Sequence, residues 1–451
     1  MIRSHIVHTL NTCTLKRCTS YCLSVCSFHR RLFCSRNTND DGEGSSTNLP
    51  AEGRYVPQRI KKRLKNKGLD IDDLEYRTGE HTNSDIELEQ AIQNSIVDKN
   101  IEIDFPSDIE KRKYLRNQEK HAYRPTDIDP EQTSILLFPG QGSQFVGMGK
   151  KLLAYPGVEN LYNKASEILG YDLLSVCIGG PSELLNKTIY CQPAVVVTSL
   201  AAVERLKEEY PKAMERCVAV AGFSVGELTA LIASEMISFE DGIQMIKLRA
   251  KAMQYASETV SSGMLTVFCD HQTKLRSAMV AAREYCRARM DIEEPVCKVA
   301  NYLCTDVKVV AGHEEALDFL QQYGKEWGIC RTKRLPVSGA FHTNLMYGGR
   351  PFWKYWDAWD KVTLKEPKYR IHSNLDGKQY RYEEGQDSLK YILRKQMMRP
   401  VAWEQLMHIL YTRKQGSNFP KTFEVGPGRQ LGYLLQKTNS KAFENYKNIE
   451  C

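Results

Sequence analysis

A short glycine-flanked serine motif is the feature of this 451-residue sequence with the clearest chemical meaning. Residues 222–226 read Gly-Phe-Ser-Val-Gly, after a predicted strand and before a predicted helix. In that setting a tight G-x-S-x-G turn presents the serine hydroxyl at the helix N-terminus, where free N–H groups favour developing negative charge. The motif therefore predicts that Ser224 is a nucleophile. A glycine-rich turn with a capping serine is the alternative interpretation.

A nucleophilic serine needs a base, and His342 is the best candidate. It lies at the edge of an apolar segment, in Ser-Gly-Ala-Phe-His-Thr at 338–343, where small residues allow the backbone to approach closely. No acidic residue after His342 is an obvious orienting partner, so a backbone carbonyl is the other means of fixing its tautomer. A purely structural histidine is the alternative.

Two further glycine-rich turns occur at residues 138–144, Phe-Pro-Gly-Gln-Gly-Ser-Gln, and 424–429, Glu-Val-Gly-Pro-Gly-Arg. Each can offer backbone N–H groups to an oxyanion or simply turn the chain. Neither matches G-x-G-x-x-G or a P-loop, so dinucleotide and triphosphate binding are poorly supported. The cysteines and histidines have no zinc-site spacing, and we predict no metal site.

These motifs lie in a segment where apolar strands alternate with helices. The runs at 134–138 and 218–221 are typical of buried strands, and helices are predicted at 192–206, 227–234 and 240–259. We place Pro193 in the first turn of its helix. The alternation predicts an α/β fold with a parallel sheet.

Residues 262–333 have the pattern of a small α+β subdomain inserted into this core. Strand-like and helix-like segments alternate within it, two of each. The large subdomain is accordingly predicted to comprise residues 131–261 and 334–451.

The first 39 residues carry six positive charges, no acidic residue and many serines and threonines. This composition predicts a mitochondrial targeting peptide at residues 1–39. A basic tail without a targeting function is the alternative. Subtracting those six charges from the net +7 leaves +1 for the rest of the chain. The nearly neutral body of the chain therefore does not favour binding to nucleic acid.

Residues 40–130 are polar and form a predicted non-core extension. Its basic run at 59–67 is predicted to be a solvated face rather than a binding site for an acidic partner. Residues 85–97 are predicted to form an exposed helix. No stretch approaches the roughly 18 apolar residues that a membrane span requires.

The motifs at 138–144, 222–227, 338–343 and 424–429 occur in the order and spacing found in malonyl-CoA:acyl carrier protein transacylases, which residues 134–440 resemble. Phe223, where most of that family has histidine, is similar to the mitochondrial branch in animals. The resemblance implies an α/β-hydrolase-like large subdomain with an inserted ferredoxin-like α+β subdomain.

The same resemblance implies roles for individual residues. Ser224 matches the acylated nucleophile and His342 its base. Gln141 and Val225 match the residues whose backbone N–H groups form the oxyanion hole. Arg249 matches the arginine that pairs with the malonyl carboxylate, for which a planar guanidinium is suited.

Gln396 resembles the residue whose main-chain carbonyl orients the histidine, and Phe341 resembles the malonyl-type pattern. Two positions depart from the family. Asn301 lacks the second asparagine of an Asn-x-Asn pair, and residues 347–349 read Tyr-Gly-Gly instead of Glu-Pro-Ala. Candidates for a basic rim that meets the acidic carrier are, by composition only, Lys298, Arg331, Lys333 and Arg334.

The implied function is ping-pong transfer of a malonyl group from malonyl-CoA to the phosphopantetheine thiol of acyl carrier protein, in the mitochondrial matrix and for fatty acid synthesis. It implies no tightly bound cofactor. A serine hydrolase that releases malonate and a non-catalytic protein that binds the carrier or RNA are the competing hypotheses.

Overall fold

The computed structural model describes residues 121–337 and 339–451, and the fold is given for these residues. The predicted targeting peptide, the basic run at 59–67 and the helix at 85–97 lie outside the described residues. Within the described ranges no helix is long and apolar enough to cross a membrane.

The strands are β1 (Ser134–Phe138), β2 (Cys217–Gly222), β3 (Ser262–Phe268), β4 (Cys297–Cys304), β5 (Val307–His313), β6 (Arg331–Arg334), β7 (Ile371–His372), β8 (Lys421–Val425) and β9 (Tyr446–Ile449). The α-helices are α1 (Val158–Leu169), α2 (Leu173–Gly179), α3 (Ser182–Leu185), α4 (Thr188–Glu209), α5 (Pro211–Glu215), α6 (Val225–Ala233), α7 (Phe239–Thr259), α8 (Leu275–Arg289), α9 (Glu314–Tyr323), α10 (Gly349–Ala358), α11 (Gln386–Lys395), α12 (Trp403–Tyr411), α13 (Gln430–Thr438) and α14 (Ser440–Phe443).

A five-stranded sheet of order β7-β2-β1-β8-β9 forms the larger core, and every neighbouring pair in it is parallel. All of β1 is buried, as expected for a strand covered on both faces. Leu136 and Phe138 pack into one apolar cluster, and Ile135 and Leu137 into another on the opposite face. The carboxyl ends of parallel strands are where such folds place their sites, and β2 ends at the serine turn.

The second sheet is antiparallel, with order β4-β5-β3-β6. Helices α8 and α9 pack on it around a separate apolar cluster that includes Leu265, Val310, Leu275 and Leu317. The predicted fold class, a parallel α/β core with a small α+β sheet, is confirmed. Sequence reasoning missed β4 and β6. Strand β6 reads Arg-Thr-Lys-Arg and therefore offers no apolar signal.

The predicted start of helix α4 was wrong. The helix begins at Thr188, so Pro193 lies inside it rather than in its first turn. Proline cannot donate to the carbonyl four residues earlier, which is that of Ile189. The Tyr171 hydroxyl donates to this carbonyl instead, at 3.4 Å, and so satisfies the acceptor that the proline leaves free.

The edge of the small sheet is joined to the larger core by backbone pairing. Val401 donates its N–H to the carbonyl of Ala300 at 2.8 Å, and its own carbonyl accepts from the N–H of Tyr302 at 2.9 Å. A buried ion pair between Lys308 of β5 and Glu404 of α12, at 2.9 Å, supports the same junction. Removing one partner of such a pair typically destabilises a protein by about 3–5 kcal/mol, because the other charge is left buried and unpaired. The ion pair therefore couples β5 to α12.

Candidate active site

Ser224 lies at the sharp turn between β2 and α6. Its backbone has φ 53° and ψ −109°, a strained conformation for a residue with a side chain. A methyl group at Gly222 would clash with the carbonyl of Gly226, and one at Gly226 would clash with that of Phe138. The two glycines therefore allow the chain to turn tightly enough to present the serine at the helix N-terminus.

The side chain of His342 meets that of Ser224. Its Nε2 lies 2.7 Å from the serine Oγ. Its Nδ1 lies 3.1 Å from the carbonyl oxygen of Gln396 and 3.0 Å from that of Arg399. Carbonyls only accept hydrogen bonds, so they hold the proton on Nδ1 and leave Nε2 free to accept from the serine.

The orientation of His342 is also set by its backbone. The residue has φ 61°, and its N–H donates to the carbonyl of Met397 at 3.0 Å. The structure thus places the Gln396 carbonyl where the resemblance implied, and adds the Arg399 carbonyl. Sequence reasoning missed the second carbonyl because a backbone acceptor leaves no signature in residue type.

Protonation of His342 gives a testable pH dependence. Burial, followed by the positive charge of Arg249, lowers the pKa of His342 to about 4, although the two carbonyls act in the opposite direction. The neutral imidazole that accepts a proton therefore persists well below the ordinary value of about 6.5. We expect the inactivation of Ser224 by an uncharged fluorophosphonate to be half-lost near the His342 pKa of about 4, with no histidine titration near pH 6.5.

The matched variant for this pH profile is Arg249→Met. Removing the guanidinium charge raises the pKa of His342, so the acidic limb should move to higher pH. Near-ultraviolet circular dichroism at each pH verifies that the fold persists. A midpoint near 6.5 in the wild-type protein would contradict the proposed environment of the imidazole.

Arg249 of α7 is fully buried beside the nucleophile. Its Nη2 donates to Ser224 Oγ at 3.2 Å and to Gln396 Oε1 at 2.8 Å, and its Nη1 donates to Gln192 Oε1 at 2.7 Å. Burial lowers the pKa of Arg249 to about 10, so it remains a cation at neutral pH. Among the described residues no carboxylate forms a hydrogen bond or ion pair with it, which makes the site suited to an incoming anion.

The loop after β1 packs directly against the serine turn. The N–H of Phe223 donates to the carbonyl of Phe138 at 2.9 Å, and a methyl group at Gly140 would clash with the Phe223 carbonyl. Within residues 121–337 and 339–451, the N–H groups of Gln141 and Val225 have no acceptor. Two unused donors on adjoining turns suit an oxyanion.

Sequence reasoning missed two amides that hold the site. Asn374 follows β7 and accepts from the N–H of Ser224 at 2.7 Å, while its own amide donates to the Gly222 carbonyl at 2.6 Å. Gln192 of α4 donates to Gln141 Oε1 at 3.4 Å as well as accepting from Arg249. The place of Asn374 at the carboxyl end of a parallel strand was the available signal.

The candidate rim residues are spread over the small sheet. Arg334 is engaged with Glu314 at 2.9 Å, and the guanidinium of Arg331 lies 4.1 Å from the ring centroid of Phe268. Lys298 and Lys333 are exposed. Their role toward a carrier stays a prediction. The part of the chain that the structure describes contains no group of three or more side chains able to hold a metal ion.

A serine on a strained strand-to-helix turn, a histidine held as an acceptor and adjoining N–H donors define an acyl-transfer enzyme. In agreement, the acyl transferase domain family matches residues 135–409. The human mitochondrial malonyl-CoA-acyl carrier protein transacylase is 48% identical over 322 residues, covering 71% of this chain and 81% of the relative. A probable mitochondrial enzyme of the same description from Drosophila melanogaster is 46% identical, with 75% and 89% covered.

Solved structures agree. The malonyl-CoA-acyl carrier protein transacylase of Coxiella burnetii has a TM-score of 0.61 and 28% identity, covering 72% of this chain and 95% of its own. A malonyl-transacylase solved in complex with a type II polyketide acyl carrier protein has a TM-score of 0.58 and 29% identity, with 70% and 94% covered. The chain belongs to the malonyl-CoA-acyl carrier protein transacylase family.

Proposed function

We infer that this chain transfers the malonyl group of malonyl-CoA to the phosphopantetheine thiol of acyl carrier protein, through a malonyl ester of Ser224. The observation that best supports this is the buried guanidinium of Arg249, which lies 3.2 Å from the serine Oγ. A cation that touches the nucleophile and pairs with no carboxylate in the described chain favours an acyl donor that carries its own carboxylate.

In the first half-reaction, Ser224 Oγ attacks the thioester carbonyl while His342 Nε2 takes the hydroxyl proton. The N–H groups of Gln141 and Val225 donate to the oxyanion that forms. The intermediate collapses by breaking the carbon–sulfur bond. Coenzyme A leaves as a thiol with the proton returned by His342, and the malonyl group stays on the serine.

In the second half-reaction, the phosphopantetheine thiol gives its proton to His342 and attacks the malonyl-serine carbonyl. The same N–H groups receive the oxyanion, and the ester bond to Ser224 breaks as the serine regains the proton. One thioester has replaced another, so the exchange needs no input of energy from ATP. The proposal includes no tightly bound cofactor.

The chain is assigned to mitochondria, and specifically to the matrix, where it supplies malonyl groups for fatty acid synthesis. The human, fly and mouse relatives carry mitochondrial in their names, and residues 1–39 have the composition of a targeting peptide. We retain residues 40–130 as a polar extension, 131–261 with 334–451 as the large subdomain, and 262–333 as the small one.

Intact-mass spectrometry of the full chain tests the proposal. The protein is incubated with malonyl-CoA and then with phosphopantetheinylated acyl carrier protein. A malonyl adduct that forms and then moves to the carrier is the expected result. Free malonate without carrier loading would instead favour the serine hydrolase, and no adduct on folded protein would favour the interaction protein.

A further inference from the structure

Glu227 is a buried carboxylate that lies directly behind the nucleophile and takes no part in the reaction steps above. It belongs to the first turn of α6 and is fully shielded from solvent. One oxygen accepts from the N–H of Asn374 at 2.8 Å and from the hydroxyl of Tyr380 at 2.8 Å. The other accepts from Nε2 of Gln396 at 2.8 Å. One of these three donors belongs to Gln396, a side chain that also contacts Arg249.

The hydrogen bonds to Glu227 favour its ionised form, and burial opposes it. An N–H, a phenol and an amide NH₂ all donate, and only an ionised carboxylate accepts from all three without carrying a proton of its own. Burial raises the pKa of Glu227 to about 7, although those hydrogen bonds and the charge of Arg249 act in the opposite direction. Tyr355 is a further buried ionisable group that interacts with it.

The carboxylate of Glu227 and the carbonyl of Ser224 together set which way the Gln396 amide points. Nε2 of Gln396 donates to Glu227 and to the carbonyl of Ser224, the latter at 2.6 Å. Oε1 consequently faces Arg249 and accepts from its Nε at 3.2 Å and its Nη2 at 2.8 Å. The reversed amide would set an NH₂ group against a guanidinium, and two donors cannot pair.

Glu227 also offsets the charge of Arg249 from a distance. The amide of Gln396 separates the carboxylate from the guanidinium, so the two charges attract without forming a direct ion pair. Gln396 Oε1 contacts the Nε and Nη2 groups of Arg249, so the acceptor bonded to the cation is a neutral amide. The relayed arrangement partly offsets the buried charge and leaves the guanidinium without a directly bonded carboxylate, which the substrate can supply.

We propose that Glu227 is a positioning residue that acts through Gln396 to hold the Arg249 guanidinium ready for the substrate carboxylate, and thereby sets the preference for malonyl over acetyl donors. The inference rests on the proposed function. It assigns to Gln396 a side-chain role beyond the carbonyl that faces His342.

The test is Glu227→Gln in the full chain. The new amide still accepts from Asn374 and Tyr380, but its NH₂ group faces that of Gln396, which must turn away. We expect the KM for malonyl-CoA to rise about tenfold or more while kcat changes less than about threefold, because binding of the carboxylate is lost and the nucleophile is not. The ratio of kcat/KM for malonyl-CoA over acetyl-CoA should fall about tenfold.

A double-mutant cycle separates this role from a structural one. Gln396→Met removes the link, so it should lower the malonyl preference by itself, and adding Glu227→Gln to it should lower the preference no further. An unchanged preference in either single variant would overturn the proposal, as would a full additional loss in the double variant. If Glu227→Gln does not fold, Glu227→Asp takes its place: the shorter side chain withdraws the carboxylate from Gln396, and an unchanged malonyl preference would overturn the proposal.

Glu424 provides the matched control. It is a second buried glutamate whose pKa is raised by burial, and it also accepts from three donors: the N–H groups of Leu431 and Gly432 and the hydroxyl of Tyr446. Glu424→Gln should affect thermal stability without changing the malonyl preference. If the wild-type protein does not become loaded with malonyl, the proposed function fails. That failure is seen in the wild-type protein alone, so it is distinguishable from failure of the role proposed for Glu227.

Discussion

Ser224→Ala is expected to eliminate the malonyl-enzyme and to slow malonyl transfer by about 10⁴-fold or more. In the proposed mechanism the hydroxyl oxygen becomes acylated, and within the described residues His342 Nε2, 2.7 Å away, contacts no other hydroxyl. The proposed oxyanion donors and Arg249 are unchanged in this variant and should still bind malonyl-CoA. The variant should therefore retain affinity for the substrate while losing turnover.

The fold of this variant should be preserved, which makes the result interpretable. The contacts that hold the turn are made by the backbone: the Ser224 N–H donates to Asn374 at 2.7 Å, and its carbonyl accepts from Gln396 at 2.6 Å. Alanine keeps both groups. Intact-mass spectrometry detects the adduct and a thermal melt reports the fold. A malonyl adduct of normal amount on Ser224→Ala would contradict the assignment of the nucleophile.

Arg249→Met is expected to reduce kcat/KM for malonyl-CoA by about 10³-fold and to raise the relative acceptance of acetyl-CoA. The guanidinium touches Ser224 Oγ, so a carboxylate bonded to it would hold the malonyl carbonyl next to the nucleophile. Methionine is unbranched and of comparable length, but offers no donor. Acetyl-CoA brings no carboxylate, and in the variant it no longer meets a guanidinium that it cannot pair with.

Two companion variants sharpen this prediction. Arg249→Lys keeps the charge but cannot form two parallel hydrogen bonds, so its loss should be intermediate. Arg205→Met removes an arginine of α4 that pairs with Glu209 at the surface, and should leave the malonyl preference unchanged. Steady-state rates with both acyl donors decide the matter. An Arg249→Met protein that keeps the wild-type ratio would refute the carboxylate-binding role.

The local elements of the site could be predicted because their signals are local. The run at 134–138 is a strand buried on both faces, and the glycines on either side of Ser224 are required by contacts within a single turn. Motif spacing alone did not indicate that His342, which lies 118 residues further along the chain, contacts the serine. That pairing came from the need of a serine for a base and from the family resemblance.

The supporting contacts could not be predicted for physical reasons. The Arg399 carbonyl at His342 comes from a backbone group that every residue type carries. Asn374 had only its place after a parallel strand as a signal, and the role of Gln192 depends on the tertiary packing of α4. Strand β6 has no apolar residue, so hydrophobic patterning could not predict a strand there.

The pairing of Val401 with the edge of the small sheet limits how freely this enzyme can be recombined. The carbonyls that hold the His342 ring belong to Gln396 and Arg399, a few residues before Val401, which is itself held by Ala300 and Tyr302. The inserted subdomain thus helps to position the segment whose carbonyls contact the His342 ring. A chimera that exchanges this insertion for that of another acyltransferase must preserve the pairing, or the imidazole will lose its alignment although every residue of the reacting pair is present.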